Sequence, residues 1–163
     1  MSARNAALLI LVAASATIAG AWGYESLGYI PCELCLTGRI PYYAGIPIAA
    51  ATTLAVHRGR AELARAGFFA LALLFAAGAA LALYHSGVEL KLFPGPSDCA
   101  GTLARAASTE EFLRQLRTVK PVRCDEPALF VLGLTLANWN AAISLALAAV
   151  AGFGAVEQGR ERR

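Results

Sequence analysis

Two cysteines separated by two residues stand in the stretch Cys32-Glu33-Leu34-Cys35, and Arg39 follows four residues after the second of them. A Cys-x-x-Cys pair is suited either to thiol–disulfide exchange or to forming half of a zinc site, so its position in the chain decides between the two. Here one long apolar run ends just before the pair and another begins just after it. This position therefore predicts a redox-type dithiol at a membrane surface.

The composition indicates a membrane protein. Of the 163 residues, 58% are hydrophobic and only 15% are charged, with a mean hydropathy of +0.56. A soluble domain is rarely so apolar, whereas a small multi-span bundle has this composition. The net charge of +3 then reflects topology, and we expect no nucleic-acid partner.

Four apolar runs approach the roughly 20 residues that cross a bilayer as a helix. They predict an all-α membrane protein, a single bundle of four transmembrane helices over residues 1–163. The first run follows Arg4 in the manner of a signal peptide, but its length and the further spans favour a retained helix. The predicted spans are residues 6–24, 38–56, 66–84 and 137–156, with connecting loops at 25–37 and 85–136 on one side.

The second span is long enough only if residues 36–39 belong to its helix, with Pro41 in an early turn. Cys35 and Arg39 would then share one helix face, near the positive end of the helix dipole. Both effects favour a thiolate, so we expect a depressed pKa for Cys35. Arg39 could instead be an interfacial anchor whose charge reaches the headgroups.

Four spans place both termini on one side and all four cysteines on the other. Arginines near the termini and in the turn at 57–65 favour a cytoplasmic location for that side, although the large loop is also basic. Disulfides persist in oxidising compartments, so cysteines confined to one face argue for the periplasm or an equivalent space. The cysteines concerned are Cys32, Cys35, Cys99 and Cys124.

The second loop carries Cys99 and Cys124. The suggested arrangement is one close pair and one distant pair, and the distant pair could also be a permanent structural disulfide. Between them, Ser108 and Glu111 have capping-box spacing before a helical apolar pattern, which predicts a short amphipathic helix on the membrane. After Cys124, residues 128–134 are expected to form a short apolar segment along the bilayer surface.

Two further features could take part in chemistry. His85 ends the third apolar run and could exchange protons with a bound cofactor, although a lone interfacial histidine is often simply solvated. A zinc site from the four thiols is the alternative to redox chemistry, but structural zinc sites usually use two close pairs. We therefore expect no metal.

Four motifs follow one another over nearly the whole chain: Cys32-Glu33-Leu34-Cys35-x-x-x-Arg39-x-Pro41-Tyr42-Tyr43, Tyr84-His85-x-Gly87-Val88-Glu89, Gly95-Pro96-x-x-Cys99 and Cys124-Asp125-Glu126. Together they resemble the disulfide bond formation protein B (DsbB) family. Thr37-Gly38 differs from many relatives, in which bulkier residues precede the arginine, and His85 is slightly farther from the following proline than in some.

The resemblance implies a thiol:quinone oxidoreductase that reoxidises DsbA, a soluble periplasmic dithiol oxidase, and passes the electrons to ubiquinone or menaquinone. It implies that Cys99 forms the mixed disulfide with DsbA and that Cys124 is the partner of Cys99. Cys32 would link the two pairs through attack by Cys124. Cys35 would contact the quinone, with Arg39 stabilising its developing negative charge and His85 as a further neighbour.

Two alternatives remain at this point. An enzyme similar to vitamin K epoxide reductase also couples a dithiol in a helical bundle to a quinone, but its active pair belongs to a later helix. A non-catalytic membrane protein stapled by disulfides would have an inert Cys32 and Cys35 and would carry no quinone.

Overall fold

The computed structural model describes residues 1–96, 108–110, 113–114, 120–121, 123–127 and 129–160. Within these ranges the chain is mostly helical, with four long helices and one short helix whose bounds are given below. Four strands of two residues each lie in the connecting loops. The helices are α1 Ala3–Ser26, α2 Glu33–Thr37, α3 Ile40–His57, α4 Ala61–Glu89 and α5 Leu136–Arg160; the strands are β1 Tyr29–Ile30, β2 Lys120–Pro121, β3 Phe130–Val131 and β4 Leu134–Thr135.

Three helices of the described chain, α1, α4 and α5, are long and apolar enough to cross a membrane. Large apolar side chains are exposed along them, including Val12 on α1, Leu73 on α4 and Leu145 on α5. An apolar outer surface of this extent is what lipid requires. The chain is therefore a membrane protein of the all-α class. The shorter α3 has 18 residues and contains Pro47.

Small residues let the four long helices pack closely. The contacts are most extensive between α4 and α5, while α3 contacts both α1 and α4. Alanines of α1 are completely buried in one core with aromatic and leucine side chains of α4. A Cβ atom on Gly154 would lie 2.5 Å from the Phe68 ring, and one on Gly45 would lie 2.7 Å from the Phe75 ring. Close approach over small residues replaces the hydrophobic effect as the main source of packing energy in lipid.

The second predicted span is divided into two helices. The backbone N–H of Gly38 still donates to the carbonyl of Leu34, but α2 ends at Thr37 and Arg39 is the N-cap residue of α3. The expectation of one continuous helix through residues 36–39 is therefore wrong. Pro41 does lie in the first turn of α3, where its missing N–H needs no partner.

The loops at the cysteine end are tied together by short strands. β1 of the first loop pairs in parallel with β2 of the second, with Tyr29 opposite Lys120. α4 continues through His85 to Glu89, so the first residues assigned to the second loop are helical. Of the amphipathic helix expected from Ser108 onward, residues 109–110 and 113–114 are helical, whereas residues 111–112 and 115–119 lie outside the described residues.

The apolar segment after Cys124 folds as a β-hairpin. β3 and β4 pair antiparallel, and the two residues between them, Leu132 and Gly133, both have positive φ. Positive φ at both positions is typical of a two-residue hairpin turn. Leu132 is 89% exposed. The indole nitrogen of Trp139 donates a hydrogen bond to the carbonyl oxygen of Val131, and this bond links the hairpin to α5.

Candidate functional site

The dithiol lies at the start of α2. Cys32 is the N-cap residue, and its Sγ accepts a hydrogen bond of 3.2 Å from the backbone N–H of Cys35. The two sulfur atoms are 2.6 Å apart and both thiols are free. They are therefore placed to form a disulfide, whose bond length is about 2.05 Å. Cys32 is completely buried, whereas Cys35 is partly exposed.

The two thiols differ sharply in acidity. A hydrogen bond from the Cys35 thiol, with a further contribution from His85, lowers the pKa of Cys32 to about 5 despite its burial. The hydrogen bond to Cys32, together with burial, raises the pKa of Cys35. The expected depressed pKa of Cys35 is thus wrong for the reduced pair. The main reason is the hydrogen bond between the two thiols, which stabilises the thiolate of Cys32 and the protonated form of Cys35; the capping N–H adds a smaller contribution at Cys32.

His85 lies in the last turns of α4, beside the dithiol. Its Nε2 is 3.9 Å from Sγ of Cys32, and its side chain is buried. Sulfur atoms of both cysteines and a ring nitrogen of His85 lie within 4.8 Å of one another. Such a cluster could hold a soft metal ion, and it also gives the thiol chemistry a nearby proton donor or acceptor.

Arg39 is held by an acid that the sequence did not single out. Nη1 of Arg39 lies 2.5 Å from Oε1 of Glu25, in the last turn of α1. The Arg39 side chain is only 12% exposed. The positive charge of Arg39 lowers the pKa of Cys35, but this effect is smaller than those that raise it. The only hint of this ion pair in the sequence is an acid directly after an apolar run.

A cavity of about 440 Å³ lies beside the dithiol, between the ends of α1 and α4 and the starts of α3 and α5. Its walls are mostly apolar. The sequence-predicted residues Cys35, Arg39 and His85 all line it. The remaining lining residues are Ala16, Thr17, Ile18, Gly20, Ala21, Tyr24, Pro31, Gly38, Tyr42, Glu89, Arg123, Glu126, Leu129, Leu136, Ala137, Asn140 and Ile143.

Several polar groups at the cavity were not predicted from the sequence. The hydroxyl of Tyr24 is buried and has no hydrogen-bond partner among the described residues. Tyr42 donates to Oδ1 of Asn140 over 2.7 Å and lies 2.9 Å from Oγ of Ser144. In the sequence, Asn140 only helps to mark where the last span begins. A polar residue close to an apolar span is also a signal of function.

Cys124 joins the dithiol from the second loop. It is completely buried and packs in one cluster with Cys32, Leu34 and Val88. Cys124 is disulfide-bonded, while Cys99 lies outside the described residues. The pairing of β1 with β2 holds the two loops together close to this cluster. The fold thus brings one cysteine of each loop, Cys32 and Cys124, into the same buried cluster.

Comparison with known proteins agrees with this arrangement. The chain is similar to the uncharacterized protein RP370 of Rickettsia prowazekii (strain Madrid E), with 24% identity over 121 residues, 73% of this chain and 67% of the relative. The family model described as disulfide bond formation protein DsbB matches residues 3–154. Because this match covers nearly the whole sequence, the chain belongs to the DsbB family of disulfide-forming membrane oxidoreductases.

Proposed function

We propose that this protein is a membrane thiol:quinone oxidoreductase that reoxidises a periplasmic DsbA-like dithiol oxidase and so supports disulfide formation in exported proteins. One observation carries the proposal: the dithiol has two different neighbours. Cys32 packs with Cys124 of the second loop, while Cys35 lines an apolar cavity with Arg39 and His85. Such a dithiol can receive electrons on one side and release them on the other.

The exchange sequence balances two electrons. A thiolate of the reduced partner attacks Cys99 of a Cys99–Cys124 disulfide, forming a mixed disulfide and releasing Cys124. Cys124 then attacks Cys32 of the Cys32–Cys35 disulfide and releases Cys35 as a thiolate. The second thiol of the partner displaces Cys99, which re-forms its bond with Cys124 and frees Cys32. The partner has become a disulfide, and Cys32 and Cys35 hold two more electrons.

A small-molecule acceptor is needed next, because DsbA has a reduction potential of about −120 mV and few protein disulfides can oxidise it. A quinone, when bound, accepts the two electrons and two protons. The residues present fit such a molecule. The cavity has apolar walls suited to a ring, the cationic side chain of Arg39, and the buried Tyr24 hydroxyl, which has no partner among the described residues.

The acidity of Cys35 depends on the state of Cys32. In the reduced pair, the bond to Cys32 is the largest cause of the raised Cys35 pKa. When Cys32 is bonded to Cys124 instead, it carries no negative charge, and this cause is removed. Cys35 then ionises more readily beside Arg39. The thiolate would therefore form next to the cavity during the stage of the exchange at which Cys32 is bonded to Cys124.

The proposed topology has four spans in a single domain, with α3 as the fourth membrane helix. α3 begins near Cys35 and ends at the turn formed by Arg58 and Arg60, so this basic turn lies at the opposite end of the bundle. Arg4 and Arg160 lie near the chain ends. A cytoplasmic location of this end follows the preference for Lys and Arg there. The cysteines then face the periplasm from the bacterial inner membrane.

Quinone extraction tests the proposal directly. Protein purified from a quinone-containing membrane in mild detergent should yield ubiquinone or menaquinone on solvent extraction, at close to one molecule per chain. Arg39→Gln protein should yield much less. Wild-type protein without quinone, and unable to reduce added decylubiquinone, would support a disulfide-stapled protein without catalysis.

A further inference from the structure

We infer that Asn140 is a second hydrogen-bond donor to the quinone, positioned by Tyr42 and Ser144. The inference rests on the proposed function. It concerns the wall of the same cavity that α5 forms. A quinone has two carbonyl oxygens on opposite sides of its ring. Arg39, beside Cys35, can serve one of them, and the other can accept a hydrogen bond from a donor in another part of the cavity wall.

A chain of hydrogen bonds fixes the Asn140 side chain. Tyr42 uses its hydroxyl proton to donate to Oδ1 of Asn140 at 2.7 Å. The hydroxyl of Ser144 lies 2.9 Å from the Tyr42 hydroxyl and also donates to Oδ1 of Asn140 over 3.5 Å. Tyr42 and Ser144 are both buried, and the Tyr42 ring packs edge-on against Phe75. The amide oxygen of Asn140 is thus held as an acceptor by rigid neighbours.

This arrangement leaves the amide nitrogen of Asn140 available. Among the described residues, Nδ2 makes no hydrogen bond, and Asn140 lines the cavity. Gly38, another lining residue, provides the space: a Cβ atom at this position would lie 3.0 Å from Nδ2. Asn140 is partly exposed, so its amide N–H groups are accessible from the cavity and can donate to a ligand there.

Arg39 and Asn140 reach the cavity from different helices. Arg39 stands at the start of α3, and Asn140 stands in the first turns of α5. Nearly one turn farther along α5, Ile143 continues the cavity wall with an apolar side chain. The polar lining is therefore concentrated at the cysteine end of the bundle, and the apolar lining extends toward the membrane interior, where a quinone tail would lie.

Quinone binding to three variants tests the inference. Dissociation constants for decylubiquinone are measured on quinone-depleted protein by quenching of tryptophan fluorescence. Asn140→Leu should weaken binding about fivefold, the value of one ordinary hydrogen bond. Gly38→Ala, which crowds Nδ2 without altering Asn140, should weaken it by a smaller factor. Asn138→Leu makes the same change two residues away, outside the cavity, and should bind like wild type.

Infrared spectra of bound, carbonyl-labelled decylubiquinone distinguish a direct hydrogen bond from Asn140 from a purely structural role of this residue. In wild type, both carbonyl bands should be shifted to lower frequency by hydrogen bonding, and Asn140→Leu should release one of them only. Unchanged affinity and two unchanged bands in Asn140→Leu would overturn the inference while leaving the quinone function intact. Absence of quinone binding in wild type would overturn the proposed function and this inference with it.

Discussion

The backbone N–H of Cys35 donates a hydrogen bond to Sγ of Cys32 across 3.2 Å. The N-terminus of α2 therefore stabilises negative charge on the buried cysteine and not on the cysteine that lines the cavity. In the reduced protein, Cys32 holds the charge and Cys35 holds the proton. This difference agrees with the proposed roles of the two sulfurs, exchange with the second loop for Cys32 and contact with the cavity for Cys35.

The first prediction concerns pH. In reduced protein carrying Cys99→Ser and Cys124→Ser, thiolate absorbance in the ultraviolet should appear as pH rises through about 5, the lowered pKa of Cys32. Below this pH the thiolate is protonated and the absorbance is lost. Adding Cys32→Ser should abolish the low-pH transition. A first transition near the ordinary thiol pKa of about 8.5 would contradict the assignment.

The second prediction concerns the contact between the loops. Because Cys32 and Cys124 pack in one buried cluster, the free Cys32 thiolate of Cys35→Ser protein should attack Cys124 of the Cys99–Cys124 disulfide. This exchange releases Cys99 as a thiolate and leaves a Cys32–Cys124 bond in protein to which no donor has been added. Peptide mapping by mass spectrometry without reduction detects this bond. Cys32→Ser is the matched control and should lack it. Finding only other pairings in Cys35→Ser would refute the proposed exchange route.

The third prediction concerns Arg39. Replacing it with Gln removes a largely buried charge from the cavity wall. A charge-assisted hydrogen bond lost in this way should raise the KM for decylubiquinone about tenfold or more. Arg60→Gln, in the turn at the far end of the bundle, is the control and should be neutral. Equal quinone kinetics in Arg39→Gln and wild type would show that Arg39 is only an interfacial anchor.

The fourth prediction tests helix packing with two glycines of α5. Gly154→Ala places a methyl group 2.5 Å from the Phe68 ring, whereas Gly152→Ala meets no atom within 4 Å. Overpacking of this kind costs about 1–3 kcal/mol. Thermal unfolding in detergent should therefore occur at a lower temperature for Gly154→Ala, and Gly152→Ala should be at least as stable as wild type. Equal stability of the two variants would contradict the described α4–α5 contact.

Some of the site was predictable because the signals were local. The positions of Cys32, Cys35 and Arg39 between two apolar runs led to a dithiol at a membrane surface, and the family match supports the interpretation. The acidity of the two thiols was not predictable in the same way. It depends mainly on the hydrogen bond between the two thiols and on their burial, with a contribution at Cys32 from His85 of α4.

Contacts between side chains of different helices also could not be predicted from the sequence. The contact of Glu25 with Arg39 joins α1 to α3, and the contact of Tyr42 with Asn140 joins α3 to α5. Such pairs arise from the way the helices pack, and the sequence alone is compatible with many different helix packings. The β3–β4 hairpin was missed for another reason: its turn uses Leu132 at positive φ, a conformation that leucine rarely adopts.

The central claim is that electrons leave through Cys35 into a quinone in the adjacent cavity. The most direct measurement follows quinol formation by purified protein given a reduced DsbA-like donor and decylubiquinone, with donor oxidation recorded in parallel. We expect one quinol formed for each donor disulfide in wild type and none in Cys35→Ser. Sustained quinol formation by Cys35→Ser, or donor oxidation by wild type without quinol, would contradict the claim.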